Sequence, residues 1–441
     1  MLAGTLRVGH LADVHLGASI SGFEELEADV EDAFLDAIQA LLDASVDAII
    51  IAGDLFDRPR PPNRAVRAAI EAFREAARRG VRVLATLGEH DYPRHRDISP
   101  VHLAAESAGG VAVPPTRIPA GSTPLDVVSS STFEVGGGHV VLLPFVRAPI
   151  ERRRSATRIL LEAASRLAAR LGGPRVLAAH LGLEGYTFPD DAVASPQSLA
   201  GFDYAALGHI HKRIISTGDS SPAPWAYPAP LVPLNAQEAR LSVEEPWPRG
   251  PLVVEVSRGE ARVEEVEIEQ PRLQAYLAAS RPTRDSLLRA AREALARAGA
   301  RARVRGGSKP LLHLSLTLGG GPSELSPREA VRLLERSLGV RVRVSSVKRF
   351  RQPAIVAASP AGGVGGEVEV IARLLAGGRR GVAAPEALAR LAEGILALKR
   401  EAARDDADPQ AVQSMLEELV SSGEYEPAWR AVEGAARSWW G

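Results

Sequence analysis

The stretch LRVGHLADVHLG, residues 6–17, decides the fold of this chain. Its first half has the apolar character of a strand, and it runs directly into Asp13 and His15. The stretch AIIIAGDLFD, residues 48–57, repeats this arrangement with a short, fully apolar run that leads into Asp54. Apolar runs of this length are typical of the buried parallel strands of α/β proteins.

More runs of the same kind follow, and patterns of helical spacing lie between them. We predict strands at 81–87, 140–143, 176–179 and 204–207. Residues 64–79 carry apolar side chains along one face of a predicted helix. This alternation indicates an α/β domain built in layers.

Periodicity and composition divide the chain into three predicted domains, 1–270, 271–350 and 357–441. The second combines two helical patterns with strand-like runs, which indicates a small α/β domain. The third begins with AASPAGGVGG, residues 357–366, which has the composition of a flexible linker. The rest of the third domain is predicted to be helical.

Composition limits the possible chemistry. The chain has 441 residues and no cysteine, so any metal must be held by histidine, carboxylate or other oxygen ligands. Its formal net charge of -1 counts mildly against nucleic-acid binding. It shows neither a signal-peptide pattern nor an apolar run long enough to span a membrane. We therefore expect a cytoplasmic protein.

Side chains of metal-ligand type follow five of the predicted strands. They are Asp13 and His15, then Asp54, then Glu89, His90 and Asp91, then His180, and finally His209 and His211. In open α/β sheets, ligands bind beyond the carboxyl ends of the strands, so these side chains should converge. Such a mixture suits a pair of ions that promotes phosphoryl displacement. The other histidines lack this context and are expected to be structural or on the surface: His10, His95, His102, His139 and His313.

The ordered set resembles the calcineurin-like metallophosphoesterase superfamily, and the whole chain resembles the archaeal Mre-eleven and bacterial SbcD repair nucleases. The segment AYPAPLVPLNAQEA, residues 226–239, is similar to that family's Tyr-Pro-Gly-Ser segment. The resemblance implies an α/β fold: a layered metallophosphoesterase β-sandwich flanked by helices, with a small α/β capping domain and a helical C-terminal tail. It also implies a manganese-dependent DNA nuclease.

The resemblance also implies a role for each motif residue. One Mn²⁺ ion would be held by Asp13, His15 and His211, a second by Glu89, His180 and His209, and Asp54 would bridge them. His90 would be catalytic without binding metal, and Asp91 would orient it. Two positions depart from the family: Glu89 replaces Asn, and Ala229-Pro230 replaces Gly-Ser.

The implied partners are DNA, a second copy of the chain and an SbcC-like coiled-coil ABC ATPase. The homodimer would use the helix at 64–79, through Val66, Ala69, Ile70 and Phe73, together with Val101, Leu103 and Ala104. These faces could instead cover the sheet. The ATPase would dock on a C-terminal stripe of Leu388, Leu391, Ile395 and Leu398, and also on Met415, Leu416 and Leu419. That stripe could instead form an intramolecular bundle.

Three functions stay open at this point. The first is the repair nuclease, and the second is another metallophosphoesterase acting on a nucleotide, phospholipid or phosphoprotein. The additional patterned residues after the motifs favour the first over the second. The third is a non-catalytic scaffold. The near-complete set of ligand types argues against it, since only Glu89 departs from the expected set.

Overall fold

The computed structural model describes residues 4–23, 26–93, 98–116, 120–218, 221–321, 323–349, 386–402, 409–421 and 426. Within them the strands are β1 Leu6–Leu11, β2 Ala48–Ala52, β3 Arg82–Thr86, β4 Val111–Ala112, β5 Thr132–Val135, β6 Gly138–Leu142, β7 Arg175–His180, β8 Gly182–Leu183, β9 Ala192–Ala194, β10 Tyr204–Gly208, β11 Ile214–Ser216, β12 Trp225–Tyr227, β13 Leu252–Ser257, β14 Glu260–Glu265, β15 Gln274–Ser280, β16 Leu311–Leu318 and β17 Arg341–Arg349. The helices are α1 Glu27–Asp43, α2 Asn63–Arg78, α3 Pro100–Ala108, α4 Pro124–Ser129, α5 Ile150–Ala168, α6 Ala236–Glu244, α7 Arg284–Gly299, α8 Pro327–Leu338, α9 Glu386–Ala402 and α10 Pro409–Ser421.

Two six-stranded sheets lie at the centre of the first part of the chain. The first has the order β14-β13-β1-β2-β3-β4, and β1 to β4 are parallel. The second has the order β11-β12-β10-β7-β6-β5, with four parallel central strands between antiparallel edges. The parallel strands bring several carboxyl ends to one edge of each sheet.

The sheets pack face to face, and helices cover their outer surfaces. Strand β2 shows how: Ile50 belongs to the core between the sheets, whereas Ile49 and Ile51 belong to the core shared with the helices. Phe34 of α1 and Phe73 of α2 fill that helical side of the first sheet. A strand buried on both faces must be apolar at every position, which explains the sequence AIIIA. The predicted layered fold is confirmed.

Two short elements near the site, β12 and α6, are among those that the sequence patterns did not show. Strand β12 is only three residues long, so alternation could not show it. Helix α6 begins after Asn235, whose side chain accepts hydrogen bonds from the N–H groups of Gln237 and Glu238. Both elements lie within a Pro- and Ser-rich stretch, where turn residues hide short periodic segments.

A three-stranded parallel sheet, β15-β16-β17, packs with α7 and α8. It belongs to the same compact unit as the two large sheets, since the chain divides into Met1–Phe350 and Arg351–Gly441. Arg272 joins the two regions through an ion pair with Asp29, at 2.6 Å. The predicted domain boundaries at 270 and 357 therefore stay predictions, and the predicted linker 357–366 lies outside the described residues.

The second unit contains α9 and α10, which contact each other. Leu391 and Leu419 are buried, whereas Leu416 is half exposed. Among the described residues, no helix is long and apolar enough to cross a membrane.

Several of the residues expected at a dimer interface have another role. Ala69, Phe73, Val101 and Ala104 are buried in the core beneath the first sheet. Leu103 is exposed over 49% of its surface. The homodimer stays a prediction, but these four buried residues cannot form its surface.

Candidate metal centre

The predicted ligands converge where β1, β2, β3, β7 and β10 end. Four of them have positive φ angles, which are unfavourable for residues other than glycine: Asp13 at 54°, His15 at 54°, Asp54 at 49° and His209 at 111°. Backbone strain of this kind persists only where the surrounding structure enforces it, and it is typical of functional sites. The fold therefore directs these side chains towards one another at the cost of an unfavourable backbone conformation.

Two glycines allow the strand ends to approach so closely. A Cβ atom on Gly88 would lie 2.0 Å from Oδ1 of Asp54. A Cβ atom on Gly208 would lie 2.0 Å from the carbonyl oxygen of Ala52. Neither contact is possible, so the geometry of the centre requires glycine at both positions.

Six side chains form an inner cluster, which consists of Asp13, His15, Asp54, His90, His180 and His211. Nε2 of His15 lies 3.1 Å from Nε2 of His211 and 3.9 Å from Oδ2 of Asp54. Nε2 of His180 lies 3.5 Å from Oδ2 of Asp54. Possible ligand atoms occur in three overlapping groups of three residues, each within 4.8 Å, and Asp54 belongs to two of them. A shared carboxylate between neighbouring groups is suited to bridging two cations.

The ring of His180 is oriented as a metal ligand would be. Its Nδ1 donates a hydrogen bond to the carbonyl of Ala52, at 3.0 Å. In a neutral ring this leaves the lone pair on Nε2, which is buried and has no hydrogen-bond partner in the described part of the chain. A buried acceptor without a donor is unfavourable unless a cation binds it. The donor set therefore fits a divalent metal.

Glu238 holds a second imidazole, and sequence reasoning missed it. It is buried and accepts hydrogen bonds from Nδ1 of His211 at 2.9 Å and from the N–H of Leu234 at 2.9 Å. Burial alone would raise the pKa of Glu238, but the hydrogen bond from His211 and its charge lower it below its usual range. A carboxylate behind a histidine is a common support for metal ligands. The sequence feature that could have indicated Glu238 is its position in the segment 226–239, which resembles a segment of the related family.

Asp54 is charged in this setting. Burial alone would raise its pKa, but the neighbouring His180, His15 and His90 bring it below the usual value. Its Oδ1 also accepts the main-chain N–H of His90, at 2.9 Å. An ionised, hydrogen-bonded carboxylate at the centre of the cluster is what cation binding needs.

The structure corrects the expected role of Asp91. We expected it to orient His90, but the His90 ring is held by the carbonyl of Asp57, which lies 2.7 Å from Nδ1. Asp91 is fully buried and accepts the N–H groups of Leu55, Phe56 and Gly88. It therefore ties together the loops that follow β2 and β3. Burial, reinforced by the charge of Asp54, raises its pKa to about 7.

A second group, the outer cluster, consists of Glu89, Arg153, Asp191 and His209. Arg153 bridges the two carboxylates, with Nη1 at 2.5 Å from Glu89 and Nη2 at 2.9 Å from Asp191. Asp191 also contacts Nε2 of His209 at 2.5 Å, and this hydrogen bond is the main reason why its pKa falls to about 2. The acidic and histidine ligand atoms of this cluster lie within 4.8 Å of one another.

Sequence reasoning missed Asp191 and Arg153. Asp191 follows no apolar strand, and Arg153 lies on α5, far from the motifs in sequence. A signal for Arg153 existed only as one of three consecutive arginines, 152–154.

The histidines outside the motifs behave as expected where they are described. His10 is buried and bonded to the hydroxyl of Tyr204 and the carbonyl of Leu207, and burial lowers its pKa to about 3. His313 is buried beside Gln274. His95 lies outside the described residues.

Ala229, at one of the two departures from the resembled family, has a φ angle of 64°. Glycine would adopt this left-handed conformation at lower energy, which explains why the family pattern has glycine there.

Comparisons with known proteins agree with this geometry. Residues 6–213 match the family model described as calcineurin-like phosphoesterase. A DNA double-strand break repair protein Mre11 from Aeropyrum pernix is 38% identical over 271 residues, covering 61% of this chain and 62% of the relative. Proteins of the same name from Methanocaldococcus jannaschii and Methanopyrus kandleri are 28% and 30% identical, covering 47% and 58% of this chain. These two matches span 51% and 55% of the relatives' own length.

The family match begins at β1 and ends just after His211, so it contains every predicted metal ligand. Residues 6–213 are therefore similar to a calcineurin-like phosphoesterase domain, and the chain is similar over about 62% of the length of the Aeropyrum pernix relative named Mre11.

Proposed function

We propose that this chain is a manganese-dependent phosphodiesterase that cuts DNA during the repair of double-strand breaks. One observation carries the proposal: strand ends of both sheets converge on buried Asp54, around which imidazole nitrogens face one another. The names of the relatives support DNA repair as the setting. A scaffold that only binds partners would not explain why buried ligand-type side chains converge on strained backbone.

The first proposed ligand set lies in the inner cluster, and the second draws on both clusters. Asp13, His15 and His211 would hold one cation, Glu89, His180 and His209 would hold the other, and Asp54 would serve both. Imidazole together with carboxylate suits manganese, and also iron or zinc. Two bound cations would stabilise the negative charge that develops on a phosphodiester during in-line displacement.

His90 supplies the proton that the leaving oxygen needs. Its Nδ1 donates to the carbonyl of Asp57, so in the imidazolium form the proton on Nε2 is the one that can be transferred, which leaves a neutral ring. The His90 ring lies edge-on to that of His15, with ring centres 4.8 Å apart, and the residue is exposed. It therefore lies beside His15 of the proposed cation site, on the side that is open to solvent.

The proposed partners use surfaces outside the centre. A homodimer would place two centres near one DNA end, and the exposed Ile98 and Leu103 are available for it. An SbcC-like ABC ATPase would bind the C-terminal helices. Deletion of residues 357–441 should abolish ATPase binding and preserve metal-dependent nuclease activity, whereas unchanged binding would exclude these helices.

The function is tested by digestion of labelled duplex and single-stranded DNA with and without manganese. Phosphomonoesters, cyclic nucleotides and phosphopeptides serve as competing substrate classes under the same conditions. We expect DNA cleavage that requires the metal and is lost on chelation. Faster turnover of a small phosphoester than of DNA would favour the other metallophosphoesterases, and no turnover of any substrate would favour the scaffold.

A further inference from the structure

A second charged site lies away from the metal centre, where the small parallel sheet meets the two large sheets. A cavity of about 40 Å³ occurs there. We call it the arginine pocket, and its polar lining includes Ser242, Trp247, Arg249, Gln270, Arg301 and Arg303. The volume corresponds to roughly three water-sized probes, which is the scale of one small tetrahedral anion rather than a nucleotide.

Arg249 is the unusual residue of the pocket. It is 7% exposed, and its Nη atoms donate to the carbonyl of Pro230 at 2.8 Å and to the hydroxyl of Ser242 at 2.7 Å. Its Nε has no hydrogen-bond partner, and no carboxylate lies within ion-pair distance in the described part of the chain. A buried donor without an acceptor is unfavourable.

Arg213 shows how the fold satisfies a buried arginine elsewhere. It is 8% exposed, and its guanidinium forms an ion pair with Glu265 at 2.8 Å as well as hydrogen bonds to the carbonyls of Pro228 and Gly250. The two arginines have similar burial, yet among the described residues only Arg213 forms an ion pair, whereas Arg249 interacts with the buried carboxylate of Glu238 at longer range. The Nε–H of Arg249 is left without an acceptor among the described residues.

The surroundings of Arg249 favour an anion. The indole of Trp247 lies against the guanidinium, 5.2 Å from ring centre to Cζ, and its N–H group is buried without an acceptor. Arg301 and Arg303 lie at the exposed rim, and only Arg303 has an acidic neighbour, Glu269 at 3.8 Å. Glu267 is the acidic residue of the lining, and it is exposed. Gln270 contributes one buried acceptor, Oε1, which has no donor among the described residues. The N–H donors and positive charges of the lining still exceed these acceptors.

We propose that the arginine pocket binds a single phosphate group, either free phosphate or a phosphate of a nucleic-acid strand. Guanidinium groups match phosphate oxygens in geometry and charge, and they bind them through paired hydrogen bonds. A phosphate at this position would supply the acceptors that the Nε–H of Arg249 and the indole N–H of Trp247 lack among the described residues. The pocket is separate from the metal centre, so this proposal does not rest on the proposed nuclease activity.

The test measures binding of inorganic phosphate to the full chain by calorimetry and thermal unfolding, with chelator present to exclude the metal centre. Phosphate should raise the unfolding temperature relative to chloride at equal ionic strength. Arg301→Ala should weaken phosphate binding by about tenfold, since it removes one charge-assisted contact. Arg249→Met should abolish it. Arg297→Ala, on the exposed face of α7 outside the lining, is the matched control and should leave binding unchanged.

A second measurement distinguishes the two sources of phosphate. Short single strands with and without a 5′ phosphate are compared in the same chelating buffer, for the wild type and Arg301→Ala. A preference for the phosphorylated strand that Arg301→Ala removes identifies a strand terminus. Binding of inorganic phosphate without that preference identifies free phosphate. The absence of phosphate binding, or equal binding by wild type, Arg301→Ala and Arg249→Met, would overturn the proposal even if Arg249→Met folds poorly.

Discussion

The inner and outer clusters of the metal centre are built in different ways. Asp13, His15, Asp54 and His180 of the inner cluster are at most 5% exposed and are held by main-chain contacts at strand ends. In the outer cluster, the side chains of Glu89 and Asp191 are 40% and 38% exposed, and an arginine holds them. The inner cluster is thus arranged before any cation arrives, whereas ion pairs in the outer cluster must rearrange.

This difference predicts two cation sites of unequal affinity. The first proposed ligand set lies wholly in the inner cluster, while the second combines His180 with Glu89 and His209 from the outer cluster. Preorganised ligands bind more tightly because less ordering accompanies binding. Substitutions in either cluster test whether the affinity of one cation site can change without that of the other.

Asp54→Ala should have the largest effect, because the side chain serves both cations. We expect loss of both metals and a fall in DNA cleavage of about a thousandfold or more, since metal stabilisation supplies several kcal/mol. Metal content and cleavage rate are measured together. Asp203→Asn is the control: it alters another buried carboxylate, paired with Arg175, and should keep metal binding. Wild-type cleavage by Asp54→Ala would remove it from the centre.

His90→Ala should separate metal binding from catalysis within the inner cluster. Its ring has a possible ligand atom within 4.8 Å of those of His15 and Asp54, so geometry alone permits a ligand role. If His90 instead transfers a proton, metal affinity stays constant and kcat falls by about a hundredfold or more. Metal titration and single-turnover cleavage measure the two quantities. A loss of bound metal in this variant would make His90 a ligand.

Glu238→Gln should weaken the first cation without removing a ligand. The carboxylate accepts the Nδ1 hydrogen bond of His211, and loss of such support typically reduces metal affinity by about 10- to 100-fold. The side-chain oxygen of glutamine can still accept the N–H of Leu234, so thermal unfolding should change little. Glu329→Gln at the start of α8 is a matched control, because Glu329 accepts a similar hydrogen bond from Ser326 far from the centre. Equal metal affinity in all three proteins would leave Glu238 with a structural role alone.

The contrast between the clusters also explains what the sequence could reveal. The inner ligands follow apolar strands, and parallel strands end at a common edge, so local pattern together with sheet topology predicted their convergence. Asp191 and Arg153 reach the centre from a loop and from the helix α5, through contacts that no local pattern encodes. Asp91 was expected in the centre for the same reason as its neighbours, but the tight turn at Gly88 directs it into the loops. Sequence pattern places a residue at a strand end and cannot show which way a turn points its side chain.

The smallest effect concerns Glu89, the ligand position at which the chain departs from the resembled family. Arg153 neutralises the Glu89 carboxylate, so the guanidinium and a second cation compete for the same oxygen atoms. Partly exposed ion pairs contribute about 0.2–1 kcal/mol, so Arg153→Ala should tighten the second cation by only about two- to fivefold. Glu89→Asn should weaken that cation, because a neutral amide replaces an anionic oxygen. It should also raise turnover at saturating manganese, since a less negative centre attracts the phosphate more strongly.

The double variant Arg153→Ala/Glu89→Asn decides whether Arg153 influences the affinity for the second cation through Glu89. If it does, the tightening caused by Arg153→Ala disappears once Glu89 is Asn, and the two effects are not additive. Arg152→Ala, a neighbouring exposed arginine, is the matched control and should change neither affinity nor rate. Additive effects would mean that Arg153 influences the cation through Asp191 and His209 instead. Unchanged affinity and rate in Glu89→Asn would place Glu89 outside the ligand set and leave the outer cluster with His209 alone as a contact to the second cation.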